Sequence, residues 1–405
     1  MSIKNHASKL LMALVTIIGS GQSLYAQQTT IDSALYDRVA ELEKQVAYKK
    51  PGEDHFMVVG LATFGFVSNK TAITSGGVSQ SSKTNSLADA DHYEFSPMLL
   101  WRHGQKFLLE FEPSFDGSSL GVNWADISYF AAPGVIIRAG YLVIPFGTYN
   151  KRLAAGWIDK LPTDPAGIAD FPPASDFGVE VEGGLPLGNM KWNYDISITN
   201  GMQLLPDGEL QSAGISDNNK NKTITGRLGL LPISNSSLEI GVSGLFGAVG
   251  DDTATSFKGL KTSMFAVDLN YVKLFAPLLV NIKGQYNYSH IDKTTYLKPS
   301  DGSNYSFDNN TGSYFAQLSL RPTGANSKLL KNLEAAFRIG NFTTPRNSLW
   351  GQRSDLIEGG LLYWINWRTA LKFAYQYNKS DSRAVDDPGT RTVSKSLFLQ
   401  FSIQL

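Results

Sequence analysis

The stretch that decides the fold, residues 135–176, reads V-I-I-R-A-G-Y-L-V-I-P-F-G-T-Y-N-K-R-L-A-A-G-W-I-D-K-L-P-T-D-P-A-G-I-A-D-F-P-P-A-S-D. Over residues 135–144, consecutive side chains alternate between two faces, so that Ile137 lies opposite Arg138. This period of two predicts a β-strand. Because Pro145 has no backbone N–H to donate to a sheet, the strand is expected to end there.

The segment that follows, residues 145–175, is far longer than an ordinary connection of about four to six residues. It carries several prolines together with Trp157, Ile158 and Phe171, which can pack against a wall. Loops of this length are either disordered or functional. We expect residues 145–175 to fold into the lumen of a membrane β-barrel and to narrow it.

The rest of the chain from residue 55 to residue 405 is a succession of alternating segments, each of roughly ten residues. About sixteen strands are predicted, at 56–66, 93–101, 106–115, 122–130, 135–144, 176–184, 190–200, 222–231, 237–247, 262–272, 279–290, 312–321, 332–341, 354–364, 369–378 and 394–405. An even number of strands of this length is typical of bacterial outer-membrane barrels. The predicted fold class is therefore all-β, a transmembrane antiparallel β-barrel occupying residues 55–405.

The connections separate a membrane barrel from a soluble β protein better than the alternation does. One set is short, at 102–105, 131–134, 185–189, 232–237 and 273–277. The other set is mostly long and polar, at 67–92, 145–175, 201–221, 248–261, 291–311 and 379–393. Short periplasmic turns and long outer loops are the pattern of an outer-membrane barrel. The amphipathic last strand, which ends in Leu405, fits the same class.

Residues 1–26 resemble a cleaved secretory signal. Lys4 and Lys9 precede an apolar core at 10–18, and a cleavage site is expected before Gln27. The chain has no cysteine, which excludes disulfides, a lipoprotein anchor and cysteine-ligated metals. An exported chain of this composition is expected in the outer membrane of a Gram-negative bacterium, in contact with lipid.

Residues 27–54 are predicted to form a periplasmic helical segment and linker. A heptad-like seam lies within residues 31–50, at Leu35, Val39, Leu42 and Val46. Two heptads are too few for a stable coiled coil alone. We expect a small oligomerisation helix at the periplasmic mouth; the alternative is a short amphipathic helix packed on the rest of the protein.

The polar faces of the strands carry charges of both signs. They are Arg138, Lys191, Arg227, Lys283, Arg321, Arg338, Lys372, Glu94, Glu110, Glu112, Asp126, Glu180, Glu182, Asp195, Asp268, Glu334 and Glu358. Such side chains cannot face lipid, where Arg or Lys at the midplane costs roughly 2–4 kcal/mol. They predict a water-filled lumen, and the residues expected at its constriction or on its charged wall are Arg138, Lys151, Arg152, Asp159, Lys160, Asp126, Glu110, Lys191, Arg227 and Lys283.

No enzyme signature accompanies these charges. The sequence has no G-x-S-x-G, no H-E-x-x-H and no phosphate-binding P-loop. The formal charge is zero, with 36 basic and 36 acidic residues, and predicts no nucleic-acid partner. We expect no catalytic residues, no metal site and no cofactor.

The stretch Ile136-Ile137-Arg138-Ala139-Gly140-Tyr141-Leu142-Val143-Ile144-Pro145-Phe146-Gly147 resembles the phosphate-selective porin O/P-like superfamily. Members often carry a strand of the form R-x-G-x-x-x-x-P-F that runs into the constriction loop. Residues 125–127 and 176–179 and the short helical N-terminus support the resemblance. It implies a trimeric, sixteen-stranded outer-membrane channel whose third outer loop, here 145–175, folds inward.

The resemblance does not extend to phosphate as a substrate. Phosphate-specific members have a lumenal ladder of Arg and Lys, whereas the charges predicted here are mixed. The sequence therefore predicts passive diffusion of small hydrophilic solutes or ions. The alternatives are a ligand-binding uptake barrel of the siderophore type and a closed structural or adhesive barrel.

Overall fold

The computed structural model describes residues 54–87, 93–169, 171–215, 220–250 and 257–405. The predicted signal segment 1–26 and the predicted helix 31–50 lie outside these residues. Among the described residues, no helix combines the length and the apolar character needed to cross a membrane.

The described chain is almost entirely β-strand. In chain order the strands are β1 His55–Ser75, β2 Val78–Leu87, β3 Glu94–His103, β4 Phe107–Phe115, β5 Leu120–Ala132, β6 Val135–Val143, β7 Ser175–Leu187, β8 Met190–Thr199, β9 Met202–Leu204, β10 Leu210–Ser212, β11 Thr223–Leu231, β12 Leu238–Ala248, β13 Lys261–Phe275, β14 Leu278–Ile291, β15 Tyr296–Leu297, β16 Asn304–Tyr305, β17 Asn309–Arg321, β18 Leu333–Thr343, β19 Gln352–Asn366, β20 Thr369–Arg383 and β21 Pro388–Gln404. A π-helical turn covers Tyr149–Leu153 and a short helix, α1, covers Lys328–Asn332. Sixteen of the strands form one barrel.

The barrel is antiparallel throughout and closes on itself. Each strand pairs with its neighbours in chain order once β2, β9, β10, β15 and β16 are set aside, and β21 pairs with β1 to complete the ring. The closing register runs from Leu61 opposite Gln404 to Thr74 opposite Arg391. The predicted sixteen-stranded antiparallel barrel is confirmed. Because the barrel is closed, every barrel strand is hydrogen-bonded to a neighbouring strand on both sides.

Strand β1 is longer than predicted, and on the side away from β21 it pairs with two strands. Its first half, His55–Thr63, pairs with β3, and its second half, Phe66–Ser75, pairs with β2. The prediction of a loop at 67–92 is therefore wrong over most of its length. This segment is polar on both faces, so the apolar alternation that reveals other strands is missing. Gly76 and Gly77, with φ of 57° and 82°, form the tight turn of the hairpin.

The last outer connection is also shorter than predicted. Strand β20 continues to Arg383 and β21 begins at Pro388, so that residues 379–393 are mostly paired. The other long connections contain small hairpins, β9 with β10 and β15 with β16. The barrel thus has a short-turn end, where β3 joins β4, and a long-loop end, where β6 joins β7.

The two faces of the wall differ as the alternation predicts. On β11, Ile224 and Leu228 are exposed on the outside, whereas Thr225 and Arg227 are buried inside. On β18, Phe337 and Ile339 face outward and Arg338 is completely buried. The outer wall is apolar and the interior holds the charges, which is the arrangement expected of a barrel in lipid.

The interior is not uniformly polar. At the long-loop end the loops pack an apolar cluster inside the barrel, which includes Phe146, Phe171, Leu204, Tyr296 and Phe307. The rings of Tyr296 and Phe307 are stacked with their centroids 4.6 Å apart. This packing fixes several loops to one another and fills one side of that end.

Candidate functional site

The connection between β6 and β7 crosses the interior of the barrel and binds the opposite wall. The Gly147 amide donates to Ser243 Oγ on β12 at 3.0 Å. The amides of Thr148 and Tyr149 both donate to Gln285 Oε1 on β14, at 2.9 and 3.0 Å. Gly147 has a φ of 69°, and a Cβ there would collide with the Gln285 side chain, so only glycine fits this approach.

Tyr149 joins two parts of the crossing loop. Its hydroxyl lies within hydrogen-bond distance of Asp159 Oδ2, at 2.7 Å, and of Asp164 Oδ1, at 2.6 Å, and its single hydrogen is shared between these two acceptors. Its ring packs edge-on against Phe315 of β17, with centroids 5.5 Å apart. The π-helical turn that begins at Tyr149 is thereby tied to the segment 159–164.

A buried ion pair fastens that segment to the far wall. Arg338 Nη2 donates to both carboxylate oxygens of Asp159, at 2.7 and 2.6 Å. Arg338 Nη1 also donates to the Thr163 carbonyl, and Thr163 Oγ1 donates to Glu358 Oε2 at 2.7 Å. Charge-assisted bonds of this kind are roughly twice as strong as neutral ones. We call Asp159, Thr163, Arg338 and Glu358, with the two lysines below, the anchor cluster.

The two lysines of the anchor cluster bind backbone carbonyls of the loop. Lys283 Nζ on β14 donates to the Ile158 carbonyl at 2.6 Å, and Lys372 Nζ on β20 donates to the Leu161 carbonyl at 3.3 Å. Burial alone would raise the pKa of Asp159, but the charges of Arg338, Lys283 and Lys372 lower it to about 2. The loop carboxylate therefore stays ionised and bound at neutral pH.

The near wall is joined to the same loop by a second set of charges. Lys151 Nζ donates to Glu180, to Glu182 and, at 2.7 Å, to Asp195 Oδ1. Oxygens of these three carboxylates lie within 4.8 Å of one another, a spacing that could hold a metal ion. The Lys151 ammonium lies among the three carboxylates, where a metal ion could otherwise bind. The protein therefore supplies the positive charge at this position itself.

The charges continue around the wall as a network. Arg152 donates to Asp195 Oδ2 at 3.2 Å and to Glu239 Oε1 at 3.0 Å. Arg227 also binds Glu239 Oε1, at 2.9 Å, and holds Asp268 through two bonds of 2.6 and 3.0 Å. Glu239 thus links Arg152 of the loop to Arg227 on β11, and Arg227 in turn binds Asp268 on β13.

Arg138, on strand β6, belongs to the same charged network. Its guanidinium donates to Asp126 at 2.6 and 3.1 Å and to Glu110 Oε2 at 3.1 Å. Glu182 Oε2 lies 3.8 Å from Arg138 Nη1, so the same carboxylate faces both Arg138 and Lys151. Each of these two cations is held by several acids.

The structure brings most of the residues singled out in the sequence together. One wall carries Arg138, Asp126, Glu110, Lys151, Arg152 and Arg227, and the far side carries Asp159, Lys160 and Lys283. Lys160 Nζ donates to the Trp157 carbonyl at 3.2 Å and lies 4.7 Å from the centre of the Trp364 ring. Lys191 lies apart from both groups, exposed near the short-turn end, where it donates to Ser236 Oγ at 3.1 Å.

Sequence reasoning did not single out several residues that hold the site together. Tyr149, Thr163, Asp164 and Gln285 give no signal, because their roles depend on where the loop crosses the barrel. Glu239 could have been found, since it alternates with the outward-facing Val242 on β12 in the same way as the inward-facing acids do.

Open space remains on one side of the loop. A cavity of about 1420 Å³ extends from the short-turn end, where Gln105 and Pro133 line it, to the loop. A second cavity of about 740 Å³ extends from the loop to the long-loop end, where Thr84 and Asp116 line it. Five residues line both cavities, namely Leu61, Glu94, Asn123, Ala154 and Asp164. The two cavities adjoin at these residues, and we call this place the junction.

No family model matches the sequence, and no curated protein matches it either. Several solved structures are similar in fold. The outer membrane channel DcaP of Acinetobacter baumannii is 12% identical, with a TM-score of 0.52 over 86% of this chain and 97% of that one. The anion-selective porin from Comamonas acidovorans is 13% identical, with a TM-score of 0.51 over 87% of this chain and 100% of that one.

OmpT, an outer membrane protein of Vibrio cholerae, is 9% identical, with a TM-score of 0.51 over 88% of this chain and 100% of that one. At such identities the similarity concerns the fold and not the chemistry of the site. The chain has the barrel fold of these outer-membrane proteins.

Proposed function

We propose that this chain is a porin through which small hydrophilic solutes or ions diffuse passively. The observation that carries the proposal is the pair of adjoining cavities, which together extend from the short-turn end to the long-loop end beside a loop fixed to the opposite wall. A polar passage through a barrel with an apolar outer wall is the arrangement of diffusion pores.

In this proposal, residues 145–175 set the width of the pore. The anchor cluster fixes the loop to the far wall, through the ion pair of Asp159 with Arg338 and through Lys283, and the two cavities run beside the loop. The passage wall is the charged network of Arg138, Lys151, Arg152, Glu110 and their partners. The proposal assigns no catalytic residue, metal or cofactor.

The location and assembly follow from the same proposal. A signal at 1–26 would direct export, and the apolar outer wall would lie in the lipid of a Gram-negative outer membrane. The seam in residues 31–50 supports a homotrimer. The motif at 136–147 supports a place in the phosphate-selective porin O/P-like superfamily, without phosphate as the solute.

Single-channel recording of the refolded protein in a planar bilayer tests the function. We expect stepwise conductance that grows with salt concentration, in groups of three steps if the pore is trimeric. Heat-modifiable migration on gels would show separately that the barrel has folded. Folded, inserted protein that passes no current would contradict the porin and favour a closed barrel, and uptake that saturates at low ligand concentration would favour a ligand-binding barrel.

A further inference from the structure

We propose that Lys70, Lys83 and Lys395 form a binding site on the outer wall for the phosphate groups of a lipid headgroup. The three lysines lie on neighbouring strands, β1, β2 and β21, toward the long-loop end of the barrel. We call them the lysine row. They lie outside the lumen, so their binding of lipid does not depend on whether the barrel conducts.

The register of the sheet places the three side chains side by side. Lys70 lies directly opposite Lys83 on one side and directly opposite Lys395 on the other. Residues directly opposite each other in an antiparallel pair point to the same face, with their Cβ atoms about 4.5–5.5 Å apart. Because side chains alternate along a strand, Lys395 shares its face with Leu397 and Leu399, which are exposed on the outer wall. The lysine row therefore faces outward.

Within the described part of the chain, the lysine row has no acidic partner. All three side chains are exposed, and none of their ammonium groups takes part in an ion pair. The acids on the same face of β19 and β20 are bound by other bases. Asp355 is paired with Arg353 at 3.5 Å, and Asp381 with Lys379 and Arg391 at 3.3 and 2.6 Å. Since like charges directly opposite each other in a sheet are destabilising, the row favours an anion bound from outside the protein.

The lysine row lies at the level where the apolar wall ends. Closer to the middle of the barrel the same face is apolar, with Phe64 on β1 and Leu399 on β21 both exposed. Tyr377 on β20 lies directly opposite Lys395. Tyrosine is enriched where the hydrocarbon of a membrane meets the headgroups. The three ammonium groups are therefore at the depth of the lipid phosphates.

A phosphorylated lipid matches both parts of this surface. The long, flexible stems of the lysines can lie along apolar surface while their ammonium groups converge on one phosphate. Ser68, Ser81 and Asn85 lie on the same face, two residues from the lysine row along their strands, and can donate to further headgroup oxygens. The acyl chains of the lipid would lie against the apolar wall. A soluble anion would meet the lysines alone.

The test is the binding of diphosphoryl lipid A to the refolded full-length protein in micelles of a neutral detergent. The temperature of heat modification should rise with lipid A, because a ligand of the folded barrel stabilises it. A lysine near an anionic surface contributes roughly five-fold in affinity. The midpoint of the titration should therefore move to roughly five-fold more lipid A in K70Q and to roughly a hundred-fold more in K70Q/K83Q/K395Q.

Three controls accompany the titration. K106Q/K328Q/K331Q removes the same number of lysines at the short-turn end and should respond to lipid A as the wild type does. Inorganic pyrophosphate in place of lipid A should leave the temperature of heat modification unchanged. Without lipid A, K70Q/K83Q/K395Q should be at least as stable as the wild type, because the repulsion within the lysine row is removed.

Three results would overturn the inference. A wild type that does not respond to lipid A, or a lysine-row variant that responds as the wild type does, means that the row binds no lipid. An equal response to pyrophosphate makes the row a site for free phosphate. An oligomeric state that changes in the lysine-row variant while lipid A binding stays the same, measured by cross-linking, assigns the row to a contact between copies. If the triple variant does not fold, K70Q decides alone. All these results leave the porin proposal intact, and a barrel without current leaves the lysine row unaffected.

Discussion

Lys151 takes the place that a metal ion would take among three carboxylates. Its ammonium supplies one positive charge to Glu180, Glu182 and Asp195, and the side chain is largely buried. A lysine with so many acceptors is a part of the wall rather than a free charge in the passage. This explains why the count of basic residues in the sequence overstates the positive charge that a solute meets.

Replacing this lysine should expose the carboxylates to external cations. Oxygens of the three carboxylates lie within 4.8 Å of one another, and K151M would remove the ammonium that lies among them. Carboxylates at such a spacing suit Ca²⁺. We expect the thermal stability of K151M to rise with millimolar CaCl₂ and that of the wild type to change little, measured by the temperature of heat modification. K160M, in which the lost ammonium contacts one carbonyl and one ring, is the control, and a K151M barrel insensitive to Ca²⁺ would contradict the account.

Protonation of Asp159 is expected to loosen the loop over a defined range of acidic pH. The pKa of Asp159, a loop residue outside the barrel strands, is about 2, below the ordinary value of 3.8. A lowered pKa means that ionisation stabilises the folded loop, so this stabilisation is complete above about pH 4 and is lost as the pH falls toward 2. We expect steady currents from pH 8 to 5 and increasing current noise below pH 4.

The variant D159N isolates this residue from the other acids. It lacks the ionisable group and leaves the buried Arg338 with one partner fewer, which costs about 3–5 kcal/mol for a buried pair. Its current should already be noisy at pH 7 and should show no further step between pH 4 and 2. Equal pH dependence in D159N and the wild type would mean that another group controls the loop.

At the scale of the elements, the loop is held by contacts from many strands rather than by its own structure. Its backbone is hydrogen-bonded to Ser243, Gln285, Lys283, Arg338 and Lys372, which come from four different strands. A single substitution would loosen one attachment and leave the others. The width of the passage therefore depends on the loop as a whole.

Deleting residues 150–170 should widen the passage without unfolding the barrel. The cations freed on the far wall, Arg338, Lys283 and Lys372, would face water in the enlarged lumen and would not be left unpaired in a dry core. We expect a several-fold larger conductance and unchanged heat modification. An equally long deletion in an outer loop away from the junction controls for chain length, and an unchanged conductance would mean that the loop does not limit the flow.

Most of the barrel could be predicted from the sequence, because the apolar outer wall imposes a period of two on each strand. The extension of β1 and the strand β2 could not, since residues such as Ser79 and Ser81 and their neighbours are polar on both faces. The charged residues of the inner wall could be predicted one by one, because every second residue of a strand points into the barrel. The ion pairs that these residues form could not be predicted. The pair of Asp159 with Arg338, for example, joins a loop to a strand 179 residues away.

At the scale of the whole molecule, the apolar outer wall determines where the barrel can reside. Ile339, at mid-strand on β18, is exposed, and its partners Ala316 and Ile357 also face outward. Ile73, near the end of the β1–β2 hairpin, is exposed to a similar degree. The two isoleucines therefore differ in their position along the barrel and hardly at all in their exposure.

Arginine at these two positions tests the placement of the barrel in lipid. Ile339→Arg should lower the free energy of unfolding from lipid vesicles by roughly 2–4 kcal/mol, as expected for arginine at the bilayer midplane. Ile73→Arg, the control, should cost at most about 1 kcal/mol, as expected at or beyond the interface. Equal costs at both sites, measured by urea titration, would contradict the assignment of β18 to the membrane.

The pairing of the last strand with the first constrains how the barrel can form. Thr71 and Ser394 meet across this seam with their hydroxyl oxygens 3.2 Å apart, although 323 residues separate them in the chain. Contacts of such long range make folding slow, because the entropy of closing the loop is lost before the ladder forms. Until β21 docks, β1 and β20 present open edges whose backbone groups would each cost several kcal/mol in hydrocarbon. Insertion and closure must therefore proceed together, and a nascent chain that lacks its final strand has no stable intermediate in the bilayer.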